Sequence, residues 1–225
     1  METPRILILG IGNLLWADEG FGVRAVEALH RSYELPDNVK LMDGGTQGLY
    51  LVSHVRAADV LVVFDAVDYG LAPGSMKLVE GNEVPKFLGA KKISLHQTGF
   101  QEVLATAELL GGGPKHHLLI GVQPVELDDF GGSLRDEMKA QITPAIAHAL
   151  GYLARFGVEA RLRAAPLPDD ATLACERMIM ARYESGRPSE AEACRFGDLR
   201  VLMASPERSS GNERSLHPHQ EDRMG

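Results

Sequence analysis

Cysteine is scarce in this chain of 225 residues: only Cys175 and Cys194 occur, and neither belongs to a C-x-x-C pair. This is typical of proteins from a reducing cytoplasm and disfavours a cysteine-rich structural zinc site. Long apolar runs are also missing, since none approaches the ~20 residues that a membrane helix needs. The N-terminus leads directly into a strand-like segment, without the basic and apolar regions of a secretory signal. We therefore expect a cytoplasmic protein that does not enter a membrane.

Basic residues are outnumbered: 23 Lys and Arg face 31 Asp and Glu, which gives a net charge of −8. An acidic chain is poorly suited to a phosphate backbone, so we expect no nucleic-acid partner. The hydrophobic content of 44% is ordinary for a globular protein. The length is sufficient for one α/β domain and an appendage. No exposed apolar stripe is obvious, and we expect a monomer.

Segments of strand and helix periodicity alternate through the first 160 or so residues. This alternation predicts a three-layer α/β/α fold, in which a twisted, mostly parallel sheet of about five strands is flanked by helices on both faces. Pro144 lies inside the last long helical pattern and predicts either a kink or a helix start at that point. The predicted strands are 6–9, 39–42, 60–64, 75–79 and 117–122, and the predicted helices are 22–29, 48–56, 96–110 and 138–156.

The end of the chain differs in composition from the rest. We assign residues 1–163 to a catalytic α/β domain and residues 164–204 to a C-terminal extension. One helix is predicted in the extension at 171–184, with Asp169 or Asp170 as its N-cap. Residues 205–225 are polar without an apolar period, which predicts disorder.

The segment from Arg5 to Leu29 carries the strongest local signal, R-I-L-I-L-G-I-G-N-L-L-W-A-D-E-G-F-G-V-R-A-V-E-A-L. An apolar strand is followed by Gly10 and Gly12, which permit a tight turn, and then by two acids near a helix start. Acids at that place can serve simply as helix caps. The pattern also resembles a dinucleotide-binding turn, but Leu15 stands at the third glycine position of G-x-G-x-x-G, and the acids would repel a pyrophosphate.

Polar side chains follow each of the first three predicted strands. Glu19 comes after the first strand, Asp43 ends the second, Asp65 ends the third, and His96 begins a later helix. In open α/β sheets, functional residues collect beyond the carboxyl ends of the strands. Carboxylates brought together there need a cation or retain protons. Two carboxylates and one His would suit zinc, nickel or iron, while caps and solvated turns remain the alternative.

Four motifs in order, G-I-G-N-L-L-W-A-D-E-G-F-G, D-G-G-T, F-D-A-V-D and S-L-H-Q, resemble those of the hydrogenase maturation proteases. The resemblance covers Arg5 to Val158. It implies a twisted sheet flanked by helices, and an endopeptidase that trims the C-terminus of the large subunit of nickel–iron hydrogenases. The tail beyond about Arg163 is longer than in the compact members of the family.

The resemblance also implies roles for individual residues. Glu19, Asp65 and His96 match the family's metal-contacting positions, and Asp43 matches the aspartate of D-G-G-T. The expected metal is nickel carried by the precursor large subunit, rather than a permanently bound cofactor. Asp43 is the candidate catalytic residue of an aspartyl-type endopeptidase, orienting the substrate or acting as a base on the attacking water. The expected partner is the precursor itself, and hydrogenase accessory proteins are further candidates.

Two other functions stay open at this point. The same three ligands could serve a metallochaperone that holds or transfers nickel without cutting a peptide bond. A nucleotide-binding oxidoreductase is disfavoured by Leu15 and by the acids at Asp18 and Glu19. No Ser-His-Asp or Cys-His arrangement is evident in the sequence, which disfavours nucleophilic catalysis by a side chain.

Overall fold

A computed structural model describes residues 3–84, 95–173 and 175–187, apart from the side chains of residues 95–99. In this part of the chain the main sheet has five strands in the order β3-β1-β4-β6-β5, and only β5 runs antiparallel to its neighbour. This confirms the predicted mostly parallel sheet. The strands are β1 Ile6–Ile11, β2 Tyr33–Glu34, β3 Val39–Gly45, β4 Val60–Ala66, β5 Met76–Glu80, β6 His116–Val122 and β7 Arg161–Leu162.

Helices cover both faces of the sheet. Helices α1 and α4 pack on one face, and α2 and α3 pack on the other, which confirms the three-layer α/β/α architecture. No helix in the described ranges is long and apolar enough to cross a membrane. The helices are α1 Phe21–Ser32, α2 Val52–Ala57, α3 Leu95–Leu109, α4 Asp136–Ala154 and α5 Met180–Ser185.

Strand β1 lies in the middle of the sheet, and all six of its residues are buried. Ile6 and Ile8 point into the core beneath α1 and α4, whereas Leu7 and Leu9 point into the core beneath α2 and α3. A strand that is covered on both faces needs apolar side chains at every position, not at alternate ones. This explains why the sequence shows a continuous apolar run.

The two glycines after the apolar run have different tasks. Gly12 has a φ of +133°, a conformation that favours glycine, and it makes the turn out of β1. Gly10, by contrast, still belongs to the strand, so its assignment to the turn was wrong. A Cβ at Gly10 would collide with the backbone carbonyl of Gly22 in α1. The first turn of α1 can therefore approach β1 only because both residues are glycine.

Two helix predictions in the second half of the chain are corrected. Helix α4 begins at Asp136, so Pro144 lies inside the helix and does not start it. The helix predicted at 171–184 begins too early: the described residues there form a 3-10 turn at Glu176–Met178, and the only α-helix among them is the six-residue α5. Asp169, one of the two acids expected to cap the predicted helix, binds elsewhere, since its carboxylate accepts a 2.9 Å hydrogen bond from Arg31 of α1.

A second, two-stranded sheet was not predicted. Strands β2 and β7 pair antiparallel, and Arg161 forms a 2.6 Å ion pair with Glu34. Each strand has two residues, too few to show any periodicity in the sequence. The pairing joins the segment after α1 to the last residues of the α/β domain.

Candidate active site

The carboxyl ends of three neighbouring strands bring the candidate residues to one edge of the sheet. Gly10 of β1 is paired with Asp43 of β3 on one side and with Phe64 of β4 on the other. Asp65 follows Phe64 directly, and the loop that contains Glu19 leaves β1 at the same edge. This is the edge at which ligands bind in open α/β sheets.

Asp18 is completely buried, and its carboxylate is fully engaged by the backbone. It accepts hydrogen bonds from the N–H groups of Val125 and Glu126, at 2.8 and 2.9 Å, and from that of Arg135 at 2.8 Å. These donors belong to the loop after β6 and to the residue before α4. Asp18 therefore ties the β1 loop to two other segments, and no side-chain hydrogen bond caps α1 or its preceding turn.

Glu19, the next residue, is only half-buried and lies in a very different environment. Burial and the negative charge of Asp128 raise the pKa of its carboxyl group to about 7. A carboxylate normally has a pKa near 4.3. Glu19 therefore lies where its negative charge is poorly stabilised by the protein alone.

Asp65 is 2% exposed, and its Oδ2 atom has no hydrogen-bond partner among the described residues. Burial raises its pKa well above the usual range, the charge of Glu19 raises it further, and the backbone N–H of Ala66 only partly opposes this. Because the two carboxylates repel each other, a cation placed between them would stabilise both charged forms. Carboxylate oxygens are suitable ligands for a divalent metal.

His96 completes the predicted trio, but its side chain lies outside the described part of the structure. The backbone places it at the second residue of α3, in agreement with the predicted helix. Among the side chains that are described, no three His, Cys, Asp or Glu residues form a metal-binding group. The structure thus brings together Glu19 and Asp65 electrostatically, and the metal-contacting role of Glu19, Asp65 and His96 stays a prediction.

Asp43 was predicted to end its strand, but it lies two residues before the end of β3, on the side of the sheet that α1 covers. Its Oδ1 atom is buried without a hydrogen-bond partner among the described residues. Burial raises the pKa of Asp43, Glu27 adds to the increase, and Arg24 and the backbone N–H of Gly45 oppose it. A carboxyl group with a raised pKa is a better proton acceptor once it is ionised, which suits a general base.

Sequence reasoning missed two residues beside these carboxylates. Arg24 is a buried cation on α1, and its charge acts on Asp43. Tyr69 packs its ring against Gly121 of β6, and the charge of Asp65 contributes to a raised Tyr69 pKa. Arg24 could have been found from the sequence, because it is an arginine within the apolar pattern of α1. Tyr69 could not, because its position depends on a loop conformation that no periodicity reveals.

Comparisons with known proteins agree with this geometry. A sequence-family model described as hydrogenase maturation protease matches residues 23–152. The hydrogenase expression/formation protein HupD of Thiocapsa roseopersicina is 68% identical over 203 residues, covering 90% of this chain and 92% of the relative. The Hydrogenase 2 maturation protease of Escherichia coli K12 is 44% identical over 157 residues, covering 69% of this chain and 94% of the relative.

A solved structure shows the same fold. The hydrogenase maturating endopeptidase HybD from E. coli superimposes with a TM-score of 0.68 at 42% identity, and the match covers 71% of this chain and 98% of that one. The sequence relatives, the family match and the solved structure all point to one group of peptidases. The chain belongs to the hydrogenase maturation protease family and is an endopeptidase of hydrogenase maturation.

Proposed function

We propose that this protease removes the C-terminal extension of the precursor large subunit of a nickel–iron hydrogenase after nickel has been inserted. The observation that carries the proposal is the pair of carboxylates Glu19 and Asp65. Burial and the charge of Glu19 raise the pKa of Asp65, and one buried oxygen of Asp65 lacks a partner in the described part of the chain. Such a pair is suited to a cation that arrives with the substrate.

In this proposal Glu19, Asp65 and His96 contact the nickel that is held by the precursor. A precursor without nickel would leave the carboxylate pair unneutralised, and that repulsion discriminates against it. Nickel is therefore part of the substrate, not a resident cofactor of the protease. The matches to maturation proteins named for hydrogenase expression and formation support a hydrogenase precursor as the partner.

Asp43 is the proposed general base or substrate-orienting group, which would make the enzyme an aspartyl-type endopeptidase. Ionised Asp43 would accept a proton from the attacking water, and the carboxyl group formed could then donate it to the leaving amine. Asp43 lies near the carboxyl end of β3, at the sheet edge where ligands bind, which supports this role. Its side chain is on the α1 side of the sheet, whereas Asp65, between Phe64 and Ala66, is on the opposite side. The scarcity of cysteine agrees with a cytoplasmic site of action, where the precursor would be processed.

The decisive experiment is a cleavage assay with purified precursor large subunit in nickel-loaded and nickel-free forms. The proteases compared are wild type, Glu19→Gln, Asp65→Asn and His96→Gln, with Asp136→Asn as the control because its carboxylate is fully exposed. We expect a mass loss that matches a C-terminal peptide only with nickel-loaded precursor, and only with wild type and the control.

Two outcomes would contradict the proposal. Equal cleavage of the two precursor forms would remove nickel from recognition. Absence of cleavage of a verified nickel-loaded cognate precursor, together with tight nickel binding by the free protein, would favour a metallochaperone that uses the same ligands.

A further inference from the structure

The C-terminal extension contacts the core at a place that matters for Asp43. We define the C-terminal arm as the described residues 167–173 and 175–187. Three side chains on one side of α1 bind this arm: the Arg31 guanidinium donates to the Leu167 carbonyl at 3.1 Å, Glu27 accepts from the Leu173 N–H at 2.9 Å, and Arg24 donates to the Met178 carbonyl. The arm therefore runs along α1 towards its N-terminal end.

Arg24 is the most buried of the three, with 6% of its surface exposed. Besides the Met178 carbonyl, its guanidinium contacts the ring of Tyr183, whose centroid lies 5.5 Å away. Glu184, the next residue, is held in place by Ser133 at 2.6 Å and Lys139 at 2.7 Å, and its charge acts on Arg24. The arm thus surrounds a buried cation that α1 alone would leave partly open.

Asp43 faces the same side of the sheet as Arg24. Val39 and Leu41 of β3 pack into the core beneath α1, whereas Met42 packs into the opposite core. Because side chains alternate along a strand, Asp43 continues the α1 side. The close contact between Gly22 and Gly10 places the first turns of α1 over Gly10, the direct partner of Asp43 in the sheet.

We propose that the C-terminal arm is a working part of the active site: it holds Arg24 behind Asp43, and Arg24 acts as a positioning residue that keeps the Asp43 carboxylate ionised and correctly placed. This inference rests on the proposed function, which assigns the base role to Asp43. Burial and Glu27 raise the pKa of Asp43, whereas the backbone N–H of Gly45 and the charge of Arg24 lower it. Arg24 is thus one of two groups that favour the ionised form of Asp43.

The comparisons show which relatives share the additional length that contains the arm. The match to HupD spans 203 residues and must reach beyond position 163, whereas the E. coli HybD structure is matched over 98% of its length by only 71% of this chain. The additional length is thus shared with the HupD type of relative and not with the compact one.

The test compares Arg24 with Arg155, which lies at the C-terminal end of α4 and pairs with Glu80 of β5 at 2.9 Å. In Arg24→Met the cation that binds the arm is lost, whereas in the control Arg155→Met a cation away from the arm is lost. The full-length variants are compared by the pH dependence of kcat/KM on nickel-loaded precursor and by NMR titration of the Asp43 side-chain carbon. For Arg24→Met we expect the acid limb and the Asp43 titration to move upwards by about one pH unit, which is a tenfold loss of rate on that limb.

The control and two further variants make the result unambiguous. Arg155→Met should leave both titrations in place, and Arg24→Lys should show only part of the shift. Tyr183→Leu, a neutral change in the arm, should move the titration in the same direction by a smaller amount, and it carries the test if Arg24→Met does not fold. Unchanged Asp43 titration in Arg24→Met, or in Tyr183→Leu where only that variant folds, would overturn the inference.

A failure of the proposed function would look different. If Asp43→Asn retains full cleavage, Asp43 is not the base, and the proposed role of the arm in catalysis falls with it. The titration of Asp43 would still report whether Arg24 controls its charge. If Asp43→Asn is inactive and the arm variants leave the titration unmoved, the base role stands and only the inference about the arm is lost.

Discussion

Asp18 and Asp65 lie at the same edge of the sheet and are both almost fully buried, but their surroundings are opposite. Three backbone N–H groups bind the carboxylate of Asp18. One oxygen of Asp65 has no hydrogen-bond partner in the described part of the chain. Burial and the negative charge of Glu19 raise the pKa of the Asp65 carboxyl group. The first arrangement lowers the energy of the folded protein, and the second raises it.

This contrast separates the scaffold from the site. A buried charge that is completely hydrogen-bonded fixes the loops around it. A buried charge that is left without a partner costs stability, and such groups collect at functional sites because a ligand can supply what is missing. Asp18 and Glu19 are neighbours in one motif, but they have different tasks. Asp18 fixes the loop through its hydrogen bonds, and the loop places Glu19 where its negative charge is poorly stabilised.

The largest expected effect comes from removing the Asp18 carboxylate, which binds three backbone N–H groups. Asp18→Ala leaves three backbone N–H groups without their acceptor, and we expect the free energy of unfolding to fall by about 4 kcal/mol. Urea denaturation of the variant would measure this. Asp136→Ala removes an exposed carboxylate from the start of α4 and should change stability very little. Similar small losses for both variants would remove the distinction between Asp18 and an ordinary surface acid.

At Asp65 we expect a smaller change in the free energy of unfolding, and an increase instead of a decrease. Asp65→Asn removes a buried negative charge whose pKa is raised by burial, so the variant should be more stable than wild type at pH 7. Loss of a ligand for the substrate's cation should reduce kcat/KM about 100-fold, as when one member of a buried charge pair is truncated. Thermal denaturation would test the expected gain in stability, and the cleavage assay on the same preparation would test the expected loss of kcat/KM. A destabilised Asp65→Asn would place Asp65 with Asp18 in the scaffold.

The smallest effect is a pH dependence of stability due to Glu19. The folded-state pKa of about 7 lies above the ordinary value of the unfolded chain, so the unfolded state releases this proton first as the pH rises. Wild type therefore loses stability between about pH 4.5 and 7, and the loss is complete above the folded pKa. Glu19→Gln cannot titrate. It should gain about 1 kcal/mol over wild type at pH 8, after allowance for screening at a half-exposed group, and nothing at pH 4.

Urea titrations of wild type and Glu19→Gln at pH 4, 6 and 8 would measure this difference in the free energy of unfolding. A constant difference across the three pH values would show that Glu19 is not under electrostatic stress in the free protein. The contrast with Asp18 would then rest on Asp65 alone.

The sequence by itself determined the architecture of this protein. The continuous apolar runs of β1 and β4 could only be central parallel strands, and the helical spacing in α1, α3 and α4 required one buried face in each helix. The order of motifs indicated the family and the sheet edge at which Asp43 and Asp65 lie. These features are local or periodic, and physical chemistry connects them directly to the residue types.

Tertiary structure alone decided how the individual groups at that edge are used. The neighbouring acids Asp18 and Glu19 look equivalent in the sequence. Only the fold brings the loop after β6 to them, where it donates backbone N–H groups to Asp18 and sets the negative charge of Asp128 against Glu19. The helix predicted at 171–184 is shorter in the structure, because Leu173 binds α1 instead of joining a local helix and Asp169 does not cap one. Hydrogen bonds between residues more than 100 positions apart leave no periodic signal, and they are the reason why the contact between Arg24 and the C-terminal arm became visible only in three dimensions.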